Sequence, residues 1–125
     1  MMLIRREITA DQAMTAMRNG EFGSDIIGAG RFVAVVLTQG WCSQWHYLNA
    51  GFARLEAAGE PAQYDIHLFT LVYDEEEYFF EFLRFKETVF GNDIIPYIRY
   101  YRDGVFVDDS NYVSPVGLIE RLAAR

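Results

Sequence analysis

The residues with the strongest claim to chemistry lie together, in Trp41-Cys42-Ser43-Gln44-Trp45-His46. Cys42 is the only cysteine in the chain. A cysteine acts as a nucleophile through its thiolate, and the unpaired N–H groups and dipole of a helix N-terminus favour that anion. The sequence predicts such a setting. Residues 32–37, Phe-Val-Ala-Val-Val-Leu, read as a strand buried on both faces, Thr38-Gln39-Gly40 end it, and a helix follows over residues 42–58. A small buried residue with an inert thiol is the competing reading, and the strand-to-helix position favours the reactive one. His46 stands four residues on, on the same helix face, where an imidazolium would support a thiolate; a partly exposed residue without a role is the favoured reading. Trp41 and Trp45 flank the thiol. They read equally well as a rim for a partner peptide or small thiol, or, for Trp45, as filler toward the core. His67 falls in a strand, and two His and one Cys so far apart make no metal set, so no metal ligand is assigned. Phosphate loops, serine nucleophile elbows and paired catalytic carboxylates are missing from the sequence.

The elements that must position Cys42 can be read along the chain. Residues 3–8 suit a short first strand, and Thr9 with Gln12 three residues later matches a capping box. The helix so started carries Met14 and Met17 on its apolar side and stops at Asn19-Gly20. Residues 21–30 read as a loop broken by Gly23, Gly28 and Gly30, with Ile26-Ile27 packing down. In the helix after Cys42, Leu48, Phe52 and Leu55 share a face and Gly59 ends it. Residues 64–73 form another apolar strand, and Asp74-Glu75-Glu76-Glu77 opens the next helix as a solvated acidic start. That helix buries Tyr78, Phe82, Phe85 and Val89 and ends near Gly91. Phe79-Phe80 and Tyr100-Tyr101 each read as one core residue and one surface residue. Asp103-Gly104 between residues 97–101 and 105–107 is a hairpin signal. Pro115 after Ser114 starts a last helix with Leu118, Ile119 and Leu122 on the sheet. The order β-α-β-α-β-α-β-β-α predicts an α/β domain over residues 1–125, with a mixed sheet and helices on both faces.

Composition limits the function. The chain is 51% hydrophobic over 125 residues, enough for a real core. Its net charge of -7 repels phosphate backbones, which argues against nucleic acid. No apolar run is long enough to span a membrane, and the N-terminus does not look like a leader, so a cytoplasmic protein with no membrane partner is expected.

Taken together, the strand, Trp41-Cys42, the helix after it, and Phe90-Gly91-Asn92-Asp93-Ile94-Ile95-Pro96-Tyr97 resemble the thioredoxin family, and Pro96 to Gly104 has that family's spacing. The resemblance runs over nearly the whole chain. It implies a thioredoxin-like fold, Cys42 as the nucleophile, Pro96 in the cis form beside the reactive sulfur, and Ile95 as the residue whose backbone pairs with a bound peptide. It also marks departures. Trp45 stands where the family's second cysteine would be, and Gln44 replaces the proline before it. The family's buried acid falls at Val36, the lysine near it at Thr70, and a late glycine at Tyr112.

The expected function is therefore monothiol redox chemistry. Cys42 attacks a disulfide, and an external thiol resolves the mixed disulfide, since no second internal thiol exists. Partners would be protein thiols or disulfides, or a low-molecular-weight thiol such as glutathione. No cofactor is implied; the Cys-Gly-Phe-Ser motif of cluster-binding monothiol glutaredoxins is replaced by Cys42-Ser43-Gln44-Trp45. The alternative is a non-catalytic binding module, with Trp41, Trp45, Ile95 and Pro96 holding a partner protein.

Overall fold

In the computed structural model, which describes residues 1–59 and 65–123, the chain opens with strand β1 (Leu3–Glu7). Helix α1 (Ala10–Asn19) follows. Its capping box is made as the sequence predicts: Thr9 accepts from the Gln12 backbone N–H, and the Gln12 side chain accepts from the Thr9 N–H. Gly20 ends it at φ 82°, where a side chain would be strained. The buried face is formed by Ala13 and Ala16, not by the methionines: Met17 packs at the margin and Met14 is exposed. The loop after it contains one extra turn, helix α2 (Ser24–Ile27), which drives Ile26 into the core.

Strand β2 (Phe32–Thr38) is buried at every residue. Helix α3 (Ser43–Ala58) follows, and Gly59 ends it in extended rather than left-handed backbone. Strand β3 (Ile66–Val72) comes next; Tyr64, where the sequence places its start, lies outside the described residues. The acidic run does not open the next helix. Tyr73–Glu75 form a 3₁₀ turn, Tyr78 is the cap residue, and helix α4 spans Phe79–Thr88. Val89, the cap residue of α4, still donates its N–H to the Phe85 carbonyl but is exposed at the helix end rather than buried. Strands β4 (Tyr97–Arg102) and β5 (Val105–Ser110) form the hairpin, with Asp103 at φ 52° and Gly104 at φ 78° in the turn. Helix α5 (Pro115–Ala123) closes the described chain.

The sheet order is β1-β3-β2-β4-β5, parallel through the first three strands and antiparallel for the last two. This is the mixed α/β architecture read from the sequence. Period-two alternation then splits the core in two. Val33, Val35, Leu37, Phe69 and Tyr101 face α1, α2 and α4. Ala34, Val36, Leu68 and Tyr100 face α3 and α5. Tyr100 and Tyr101 are thus both buried, one on each side, and neither is a surface residue.

The same alternation puts Tyr97, Arg99 and Tyr101 on one face. Arg99 lies between the Phe90 and Phe106 rings, 3.9 and 4.1 Å from their centroids. Its guanidinium donates to Tyr101 Oη (2.8 Å), Tyr97 Oη (3.0 Å) and Glu21 Oε2 (2.8 Å). Burial alone would lower its pKa, but Tyr101, Glu21 and Tyr97 outweigh that and raise it. Every polar arm is matched, so a charge can sit in the core.

Candidate functional site

Central strand β2 delivers the chain to the sheet end, where crevices form in open α/β folds. Gln39, Gly40 and Trp41 turn it into α3, and the 3₁₀ turn braces them. The Gly40 N–H donates to Asp74 Oδ1 (2.8 Å), and Gln39 Nε2 donates to the Tyr73 hydroxyl (3.2 Å). The Trp41 indole N–H donates back to Gln39 Oε1 (2.6 Å).

Cys42 is the N-cap residue of α3. Its N–H donates to Gln39 O (3.2 Å), and its carbonyl accepts from the His46 N–H (3.1 Å). Its side chain makes no cap hydrogen bond. The thiol is free and 6% exposed. The His46 ring does not serve it in this arrangement. Nε2 donates to the Gly40 carbonyl at 2.6 Å, so the imidazole fastens the loop. A carbonyl only accepts, which fixes the proton on Nε2.

The two tryptophans part company. Trp41 is 71% exposed, whereas Trp45 is 5% exposed and packs with Cys42, Val36, Leu48 and Ile98. Trp45 also lines a cavity of about 630 Å³ behind the loop, together with Gly40, His46 and Asn49. Val36 pairs with Thr70 in the β2–β3 register, so the two positions where the resemblance implies an acid and a lysine are indeed neighbours. Val36 is fully buried in the same apolar cluster as Cys42.

The Ile95–Pro96 peptide is cis, as the resemblance implies. Ile95 packs at the margin of both core clusters, one of which contains Cys42. Ile94 and Tyr112, 58% and 56% exposed, add apolar surface.

The groups that hold this loop were missing from the sequence reading. Lys86, 1% exposed, donates to Asn92 O (2.8 Å) and Ile94 O (3.0 Å). Asn111 Nδ2 donates to Asn92 Oδ1 (2.9 Å), Ile94 O (3.0 Å) and Pro96 O (3.2 Å). Burial lowers the Lys86 pKa to about 8, against the opposing pull of Glu87 and Asp93. A signal for Lys86 was present, since it follows Phe82 at helical spacing and so shares the buried stripe of α4. His67, in β3, contacts Arg6 (3.4 Å), and burial, then the Arg6 charge, lowers its pKa. Among the described residues, no group of three His, Cys, Asp or Glu is placed to hold a metal ion, and no helix is long and apolar enough to cross a membrane.

A five-stranded mixed sheet of this order, with a cysteine capping the helix after the central strand and a cis-proline at the sheet end, is the thioredoxin fold. Solved structures with which the chain overlays bear this out. Thioredoxin O1 from Arabidopsis thaliana in the oxidized state overlays with a TM-score of 0.61 at 13% identity, covering 98% of each chain. Thioredoxin from Schistosoma mansoni overlays at 0.58 and 15% identity, covering 98% of this chain and 94% of that one. Trxlp from Edwardsiella tarda overlays at 0.58 and 23% identity, covering 93% and 96%. No family model and no curated protein matches the sequence.

Proposed function

We propose that the chain, acting as a single thioredoxin-like domain over residues 1–125, is a monothiol redox protein. Cys42 is the nucleophile. Its thiolate attacks one sulfur of a disulfide R–S–S–R′, forming Cys42–S–S–R and expelling R′–S⁻, which takes up a proton. A thiolate from outside the chain then attacks the R sulfur, restores the Cys42 thiolate and leaves with R in a new disulfide. External resolution follows from the composition: Cys42 is the only cysteine, so no internal thiol can attack the mixed disulfide. The carrying observation is the placement of Cys42 as the N-cap of the 16-residue helix α3, in one of the clusters against which Ile95 packs. Trp41 and the Ile95–Pro96 segment would receive the substrate, with Trp45 as the apolar wall behind the sulfur. Substrates would be protein disulfides or mixed disulfides, and glutathione is a suitable resolving thiol.

One observation favours a second reading. The thiol is only 6% exposed while Trp41 beside it is 71% exposed, which suits a binding module that holds a partner without chemistry. Two measurements separate the readings. Redox action requires fast alkylation of Cys42 at neutral pH and a glutathione adduct, visible by intact mass, that excess thiol removes. Slow alkylation and no adduct would leave the binding module. In either case, dithiol-driven insulin reduction should be weak or absent, and turnover like that of a dithiol thioredoxin would refute the monothiol scheme.

A further inference from the structure

Away from Cys42, the acidic run is part of a groove between α1 and α4. Its volume is about 860 Å³. Met14 and Met17 supply its apolar wall, and Glu75, Glu76, Glu77 and Glu81 line it against a single cation, Arg18. The four carboxylates lie on exposed residues. The groove continues past Met17 and Glu81 into a second hollow of about 440 Å³, where Phe80 is 76% exposed and Arg84 adds a second cation.

Tyr78 forms part of the groove's floor. It lines the groove, is 7% exposed, and its buried hydroxyl has no hydrogen-bond partner. A hydroxyl in that state is costly unless something supplies a partner. Burial, then the Glu76 charge, pushes its pKa up to about 12.

We propose that this groove docks a basic amphipathic segment of a partner protein. Its apolar side chains would lie on Met14, Met17 and Phe80. Its Lys or Arg side chains would face Glu76, Glu77 and Glu81. Methionine suits such a surface because its unbranched, polarizable side chain adapts to varied apolar partners. Charge selects the occupant. The chain carries -7, so a second copy would bring like charge to the groove, and an anionic membrane would be repelled. The proposal does not rest on redox activity, since Cys42 is not among the groove's lining residues.

The test uses a synthetic Leu/Lys peptide that is amphipathic as a helix, and an isomer of identical composition with the two residue types scattered. Calorimetric titration gives affinities, and amide NMR shifts give the location. The amphipathic peptide should bind more tightly than its isomer, with shifts confined to α1, the 3₁₀ turn and α4. The doubly substituted Glu76→Gln/Glu81→Gln protein should bind about tenfold more weakly and show less salt dependence. Met14→Ser should weaken binding at unchanged charge and fold, because Met14 is exposed. A control with equal charge change, Asp103→Asn/Glu120→Gln, should bind as the parent does. Equal binding of the two isomers, equal binding of spermidine, shifts elsewhere on the surface, or indifference to the groove substitutions would overturn the proposal.

Discussion

Trp45 fills the position at which a second thiol would complete a redox pair, and its burial gives that substitution a physical consequence. The side chain is 5% exposed and sits in the apolar cluster around Cys42. Trp45→Cys would leave a void there, at a cost of about 3–5 kcal/mol. It would also put a second sulfur on the first turn of α3, three residues from Cys42. We expect the folded variant to form an internal disulfide under mild oxidation and to gain some insulin reductase activity. That gain should stay small, because fully buried Val36 offers no proton-handling group near the sulfur. Free-thiol counting and intact mass check this. A folded variant that keeps both thiols under oxidant would mean that position 45 does not present its side chain to Cys42.

Between elements, the approach of α3 to α5 depends on one missing side chain. A Cβ on Gly51 of α3 would overlap Pro115 Cγ at the start of α5. Helix propensity alone would make Gly51→Ala stabilising by about 1 kcal/mol. Overpacking against a rigid proline ring costs about 1–3 kcal/mol, so we expect a net loss of about 1 kcal/mol. Urea denaturation measures it, and Pro115→Ala in the same chain should recover part of the loss. Additive effects of the two substitutions would show that the helices do not meet there. Such contacts mark the boundary of what the sequence could say. Signals carried by neighbours in sequence were legible: the Thr9–Gln12 capping box, the apolar run of β2, the Asp103-Gly104 turn, and Cys42 between strand and helix. Features decided by distant partners were not. The 3₁₀ turn took the acidic run away from α4, and Asp74 spends its carboxylate on the Gly40 N–H. Arg99 is buried because Tyr97, Tyr101 and Glu21, up to 78 residues away, satisfy it. At the site, the position of Cys42 was readable, whereas the attachment of His46 to Gly40 depends on the loop's path and was not.

At the scale of the whole molecule, buried titratable groups of opposite type make stability depend on alkaline pH in two phases. Lys86 is brought down from 10.5 to about 8 by burial, with Glu87 and Asp93 opposing. Between these values the unfolded chain holds the proton and the folded chain has lost it, so stability rises with pH. Tyr78 and Tyr97 are raised from 10.0 to about 12, both chiefly by burial. Over that higher window the folded chain holds protons that the unfolded chain has lost, so stability falls as pH rises. The expected profile climbs from about pH 8, turns near pH 10, and declines above it. Growing negative charge works against the climb, since the chain already carries -7. Lys86→Met separates the effects, because it keeps the tyrosines and nearly all of the acidic surface. The parent should gain on this variant by about 2 kcal/mol as pH goes from 8 to 10.5. Urea denaturation at pH 7.5, 9 and 10.5 reads the difference. A constant gap between the two proteins would mean that Lys86 titrates at its ordinary pKa, and that its ammonium does not lose its proton while it holds the Asn92 and Ile94 carbonyls.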